Sequence, residues 1–542
     1  MGYFIYLIAA YLVVLMGFNI WRGMKIKGQE DFMVAGRSLS MTVMVFTLIC
    51  TWIGSGTFIA GAEYAFKAGW SSLWMPAGAW VGIVIIYFLA GKIRSFGKYT
   101  VGDILEVRYG KFSRIFGSIA LIISFTAIVS YQLRAGGLIL NTITQAPDGT
   151  VFVTDTAGRQ TEALNFKVML DKNGDKSGYE YRDKSGSLVH KTSAEISSYE
   201  HKAQISVSLG QIITALVVIL FTALGGMMAV AYTDLPNGII ILVSTIVALP
   251  FVIHSAGGLS APLTVLPPEH FTVVSSHFGK YPWLKAFSYF LSTMFLLMGI
   301  QSMYQKFYSA KSPADAKRAT MLWIFGTIAV ETVVVAIAVY ASSYLWGKGY
   351  DPAAVVLLAA TKMVPPVVGL MLLAAATVVV ISTGMNYLLS PTTNIMRDIY
   401  QRFINPDATQ ARMVLLQKIS VVLLGIVAYL VATQLKSVLD MAYFAYVIYG
   451  VAITPALIAA LAWKRATRMA GLISIASGTV VALTMKVLTY TLPARMVPGG
   501  DVLGIPLIYP SLLASVGLLI IVSYLTPAPT AEELKVLFPY EA

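Results

Sequence analysis

The stretch ICTWIGSGTF, residues 49–58, interrupts an apolar segment that begins near Met41 and otherwise has the composition of a membrane-crossing helix. Gly54, Ser55 and Gly56 sit in its middle. Glycine costs roughly 1 kcal/mol relative to alanine in a helix interior, and two glycines around a serine leave the backbone free to unwind. No backbone N–H or C=O stays unsatisfied in hydrocarbon, so a break is tolerated only against protein or a water-filled cavity. Two readings are open at this point. In secondary transporters, broken helices expose carbonyls that bind coupling ions near the midplane. In other membrane proteins, small residues let two helices pack closely.

The rest of the chain sets the class. Of 542 residues 57% are hydrophobic and 12% charged, and the mean hydropathy is +0.73, which describes a polytopic membrane protein. A span needs about 20 apolar residues to cross roughly 30 Å of hydrocarbon. Thirteen stretches qualify: 3–21, 41–60, 70–91, 115–142, 205–224, 234–253, 284–304, 320–344, 365–389, 416–435, 439–463, 467–490 and 505–525. The first has no small-residue cleavage site after it and reads as a retained helix. More than half of the 39 basic residues fall before the second span and at 92–114, 306–318, 397–418 and 464–468, so these segments are expected on the cytoplasmic side. The N-terminus is then outside and the C-terminus inside, in the cell membrane. The net charge of +13 follows from basic loops facing anionic lipid and implies no nucleic-acid partner. Cys50 is the only cysteine, which excludes an intrachain disulfide and a cysteine-based metal cluster.

Composition changes only in the long loop 143–204. There KVMLDKNGDKSGYEYRDKSGSLVH alternates turn formers with β-branched and aromatic runs, the pattern of one or two β-hairpins. Asp171, Asn173 and Asp175 have the opening spacing of a calcium loop, but Lys176 and Arg182 stand where glycine and glutamate belong, so turn chemistry is the better reading.

Four stretches together carry a resemblance. GRSLSMTVMVFTLICTWIGSGTF at 36–58, FTALGGMMAVAYTDLPNGI at 221–239, QSMYQKFYSAKS at 301–312 and ISTGMNYLLSPTTNIMRDIY at 381–400 resemble, in order, conserved motifs of the sodium/solute symporter family. Asn237 departs from the family's usual glutamine. The resemblance implies an all-α membrane protein with a LeuT-like core, two inverted repeats of five helices whose first and sixth core helices are discontinuous. On that scheme residues 1–40 are peripheral, 41–253 form the first repeat with 143–204 inserted, 254–283 are an external loop, 284–464 form the second repeat, and 465–542 are peripheral helices and a short tail.

Carried over by position, the resemblance implies a sodium ion held by the backbones of Cys50, Ile53 and Val379 and the hydroxyls of Ser382 and Thr383. Carbonyls and hydroxyls suit a small hard cation without the cost of burying a carboxylate. Ser382 and Thr383 have a plainer reading, in which mid-membrane hydroxyls bond back to a carbonyl one turn earlier. Trp52 stands where some relatives carry Asp or Asn, and Val379 and Val380 lack the hydroxyls of a second sodium site, so one coupling ion is expected. Asp234 is read either as a gating or ion-release group or as part of a helix start, because Thr233 and Asp234 precede Leu235 and Pro236. Thr57 and Ile300 at the family's sugar-binding positions, with Gln301 adjacent, speak against a sugar.

Arg134 lies within the third core span. An intramembrane arginine is costly enough to be a functional hypothesis, and its fork matches a carboxylate, so a carboxylate-bearing solute is expected, with Gln132, Thr57, Trp52, Phe58 and Gln301 completing the pocket. Glu331 is the other charge deep in a span, a partner for Arg134, a proton relay or a cavity residue. The expected activity is import of a small polar organic solute with sodium by alternating access; the rival is proton coupling through Glu331 or Asp234. A sensor of the same fold would need a signalling module, and TPAPTAEELKVLFPYEA after 525 is too short for one. A membrane enzyme would need a catalytic constellation, and none has recognisable spacing.

Overall fold

The computed structural model describes the chain except residues 1, 25, 27, 147, 148, 171–175, 435, 436 and 539–542. The candidate calcium positions therefore lie outside the described residues. Among the described residues, eleven helical segments are long and apolar enough to span a bilayer. Two of them contain more than one crossing. Val207–Ala256 has 50 residues, which at 1.5 Å per residue is about 75 Å, more than twice a hydrocarbon core. It changes direction at Gly226, whose backbone (φ 53°, ψ −165°) lies in a region open essentially to glycine. Its two arms carry the expected spans 205–224 and 234–253. Gly56–Phe96 likewise joins the second half of the 41–60 span to the 70–91 span.

That geometry corrects one expectation. Thr233 and Asp234 do not start a helix: the break is at Gly226, Thr233 Oγ1 donates back to the Val230 carbonyl at 2.9 Å, and Pro236 and Pro250 lie inside the helix. Proline is tolerated there because tertiary neighbours in a membrane bundle satisfy the freed backbone groups.

The eighth core helix, Pro366–Asn394, is the axis of the bundle, with every residue from 375 to 394 buried. It packs against Val207–Ala256 and Lys111–Ile143. At the periphery, Gly2–Gly23 lies on the long helix, where Tyr11 donates to Asn237 at 2.8 Å, and Arg468–Thr491 pairs with Ile508–Leu525.

Both expected discontinuities are present. The first core helix ends at Trp52, Ile53 is extended (φ −72°, ψ 98°), and the chain resumes through a widened turn at Gly56–Gly61. The sixth is cut between Pro282–Gly299 and Gln301–Ser309 by Ile300 (φ −66°, ψ 118°).

The loop 143–204 is more ordered than hairpins alone. Strands β1 (Val151–Asp155), β2 (Gln160–Leu170), β3 (Lys176–Arg182), β4 (Leu188–Thr192) and β5 (Ile196–His201) form an antiparallel sheet in the order β4-β3-β2-β1-β5. β5 pairs back onto β1 and so closes the insertion at its own base. Phe166, Tyr179, Tyr181 and Ile196 are among the residues of a small separate core. The sheet is docked on the bundle: the Val168 amide donates to the Gly347 carbonyl at 2.9 Å, and His201 stacks on Tyr350 with ring centres 4.5 Å apart.

A Cβ at Gly226 would meet the Phe32 ring at 2.8 Å, in a conformation that disfavours any side chain. Gly226→Ala is expected to destabilise the protein by about 1–3 kcal/mol, whereas Gly17→Ala, with open space around it, is expected to be neutral or slightly stabilising. Melting temperatures of the two purified variants check this.

Candidate functional site

At the first break the helix leaves the carbonyls of Cys50 and Ile53 without helical partners. Thr383 Oγ1 of the eighth core helix reaches both, at 3.0 and 3.2 Å. Gln132 Oε1 accepts from the Ser55 amide at 3.1 Å. The glycines have a steric reason as well: a Cβ on Gly54 would fall 2.8 Å from Thr383 and one on Gly56 2.1 Å from the Tyr446 hydroxyl. Three of the five expected sodium ligands, Cys50, Ile53 and Thr383, thus meet. Val379 is buried one turn before Thr383, and Ser382 is turned to Asp234.

Asp234 is fully buried and sits where four core helices converge. Its carboxylate accepts from Thr47 at 2.5 Å, from Ser382, and from Asn386 Nδ2 at 3.4 Å. Asn386 Oδ1 in turn accepts from Lys306 Nζ at 2.5 Å. Lys306, at the start of the basic segment 306–318 expected on the cytoplasmic side, is completely buried on Gln301–Ser309 rather than exposed to water. The helix is amphipathic toward protein rather than toward water, which charge counting along the chain cannot distinguish.

The expected solute residues separate into three places. Trp52 and Thr57 meet Glu331: Trp52 Nε1 donates to Oε1 at 3.0 Å, Thr57 Oγ1 lies 3.4 Å from the same oxygen, and Trp80 Nε1 donates to Oε2 at 2.7 Å. They border a cavity of about 30 Å³ together with Gly56, Thr293 and Tyr446. Phe58 is buried in the bundle core. Arg134 does not join Glu331; it lines a vestibule of about 920 Å³ between the bundle and the sheet, with Asn141, Tyr199, His201 and Trp346. Burial pushes the imidazole of His201 down to about 4, so it is neutral near pH 7.

Gln301 lies toward the end of the bundle opposite the sheet. Its side chain accepts from the Val101 amide at 3.1 Å and donates to the Ser390 carbonyl at 3.1 Å and to Asn394 Oδ1 at 2.5 Å. Asn394 Nδ2 continues to Asp398 at 2.6 Å, which pairs with Arg114 at 2.5 Å and accepts from Thr100 and Ser118, both at 2.8 Å. Gln301 is therefore a member of a network that ties the core helices together on that face. The second break has its own closure. Tyr449 Oη donates to the Gly299 carbonyl and accepts from the Gln301 amide, both at 2.9 Å.

Sequence reading missed Trp80, Asn386, Lys306, Tyr446 and Tyr449. Trp80 and Lys306 carried a signal, a polar donor inside an apolar or amphipathic helix; the tyrosines carried none that separates them from the other 27 tyrosines (29 in all, less these two).

Two broken helices crossing beside buried polar groups, within a bundle of apolar spans, define a secondary active transporter rather than an enzyme. A model of the sodium:solute symporter family matches residues 32–147 and 199–478, and the chain belongs to that family. The unmatched gap coincides with the β-sheet. Human high affinity choline transporter 1 is 24% identical over 507 residues, covering 88% of this chain and 76% of the relative. The high-affinity proline transporter PutP of Bacillus subtilis (strain 168) is 23% identical over 475 residues, covering 84% and 86%. Among solved structures, a substrate-bound outward-open Na+-coupled sialic acid symporter aligns over 97% of this chain and 98% of its own with a TM-score of 0.72 at 15% identity. The fold is the LeuT-like one expected.

Removing Asp234 would leave Lys306 buried beside a neutral site. Stripping one partner from a buried charge pair costs about 3–5 kcal/mol. Asp234→Ala is expected to lose that order of stability, and Asp234→Ala/Lys306→Met to recover much of it, in a double-mutant cycle followed by thermal unfolding.

Proposed function

We propose that this protein is a sodium-coupled symporter that imports a small polar organic solute by alternating access, with one sodium ion per cycle. The observation that carries the reading is the imbalance at the first break. Thr383 has one hydroxyl hydrogen for two freed carbonyls, so oxygen lone pairs are in excess there, and a small hard cation satisfies several at once. At the second break one tyrosine hydroxyl balances one acceptor and one donor, and no such excess exists. Cys50, Ile53 and Thr383 are the ligands this geometry supports most directly. The Val379 carbonyl and the Ser382 hydroxyl complete the set, the latter by turning from Asp234, which makes Asp234 the gating group.

The same reading takes 41–253 and 284–464 as the two repeats, with the sheet face outside and the Arg114–Asp398 face cytoplasmic, as the distribution of basic residues favours. A carboxylate on the solute has its match in Arg134, whose guanidinium has no ion-pair partner among the described residues. Its setting in the vestibule favours a role on the path of arrival rather than beside Glu331. The sheet roofs that vestibule, which supports its role as a lid. Proton coupling is the second reading, favoured by the burial of Glu331 without a basic neighbour; it requires uptake driven by a pH gradient with no sodium.

Sodium replacing potassium at constant ionic strength is expected to raise the melting temperature saturably. A ligand bound only by the folded state contributes about 2.7 kcal/mol at a hundredfold excess over Kd. Ser382→Ala/Thr383→Ala is expected to abolish the sodium-selective rise; a rise that survives, or none in the wild type, removes the ion from this break. Deleting residues 146–200 is expected to change the rate of uptake, and unchanged uptake and assembly would eliminate the lid.

A further inference from the structure

Six acidic residues are buried among the described residues: Glu63, Asp103, Asp234, Glu331, Asp398 and Asp501. Five have a basic group at hand. Glu63 pairs with Lys67 at 2.6 Å, Asp103 and Asp398 with Arg114 at 2.9 and 2.5 Å, and Asp501 with Lys285 at 2.5 Å. Asp234 shares Asn386 with Lys306. Glu331 has none. Its three partners, Trp52, Trp80 and Thr57, are neutral donors, and an indole N–H can only donate. Both carboxylate oxygens are therefore engaged by neutral donors, and no basic side chain among the described residues faces them.

A buried charge in a membrane protein is retained where it pairs with something that arrives. Glu331 borders the cavity beside the first break, next to Trp52 and Tyr446. Aromatic rings around a carboxylate favour a cation electrostatically while shedding little water. Arg134, which has no ion-pair partner among the described residues, opens on the vestibule and not on this cavity. We infer that Glu331, with Trp52, Trp80 and Tyr446, binds a positively charged nitrogen of the transported solute, so that the substrate class is an organic ammonium compound, zwitterionic if it also bears a carboxylate. This rests on the symport reading for the solute's place beside the first break, and not on Arg134.

Matched probe pairs test it on the full-length protein purified in detergent with saturating sodium. Choline is set against its uncharged isostere 3,3-dimethyl-1-butanol, and L-proline against cyclopentanecarboxylate, which lacks the nitrogen. Binding is read as the shift in melting temperature up to tens of millimolar. At least one nitrogen-bearing probe is expected to bind tenfold or more tightly than its isostere. Glu331→Gln is expected to remove that preference and Glu331→Asp to weaken binding while keeping it. Both variants should retain the sodium-dependent stabilisation, which shows that they are folded and reads the symport proposal separately. The inference is overturned if isosteres bind as well as their charged partners, if neither nitrogen-bearing probe binds the wild type, or if the preference persists in Glu331→Gln. Stabilisation that follows pH alone and vanishes in Glu331→Gln would overturn it in favour of a proton.

Discussion

The hydrogen-bonding debt of an interrupted membrane helix governs this structure. Each unpaired backbone group in hydrocarbon costs several kcal/mol, so neither break could persist without a side chain delivered from another helix. Thr383 closes the first and Tyr449 the second. These contacts differ in kind. A hydroxyl that accepts one bond and donates one leaves its break neutral and complete, as at Gly299–Gln301. A hydroxyl stretched between two carbonyls concentrates partial negative charge instead. That asymmetry makes one break a hinge-like joint and the other a cation site on the proposed reading.

The same logic of balance explains the charged residues. Lys306 and Asp234 reach one asparagine from opposite sides, and Arg114 gathers three carboxylates, Asp103, Glu106 and Asp398. Charges that hold the bundle together are paired within it. Glu331 and Arg134, which have no ion-pair partner among the described residues, line cavities. A structural ion pair can be satisfied once and permanently; a group that meets a ligand cannot be, because its partner leaves. Exposure of an unpaired charge to a cavity is therefore a stronger sign of function here than burial alone.

Much of this was legible in the sequence where a residue type has a single physical use. Gly54-Ser55-Gly56 pointed to either a break or a close helix contact, and both are present: the helix breaks there and the glycines lie against Thr383 and Tyr446; Ser382-Thr383 announced oxygen in an otherwise apolar run. The break at Ile300 was carried only by the family resemblance, since Gly299–Ile300–Gln301 has no comparable local signal. Thr233-Asp234-Leu235-Pro236 has the local chemistry of a helix start, yet lies within a helix, because tertiary partners and not local capping satisfy those residues. Alternation in the 143–204 loop points to strands, but five in one sheet depend on β5 returning to β1, a pairing between residues 41 apart for Asp155 and Ile196 up to 50 apart for Val151 and His201. Pairing across that distance leaves no local trace. Arg134 was placed in the pocket with Thr57 because depth along a helix is readable and direction is not.

The eighth core helix makes these separate sites into one device. Thr383 and Asn386 face the first break and the Asp234–Lys306 pair. Two turns further, Ser390 and Asn394 engage Gln305 and Gln301, and Asp398 closes onto Arg114. No flexible segment separates these contacts; residues 375–394 are continuous helix and wholly buried. A helix so enclosed moves as a body rather than bending, since close-packed interiors transmit displacement. On the proposed reading, a cation that changes how tightly Thr383 is held to the first core helix acts on the same element that carries the Gln301 and Arg114 contacts at its far end. On the same reading, opening that face would separate Asp398 from Arg114, a buried contact whose loss is costly unless water enters at the same moment. Binding at one end and sealing at the other thus draw on one body, which is the physical content of coupling in an alternating-access cycle.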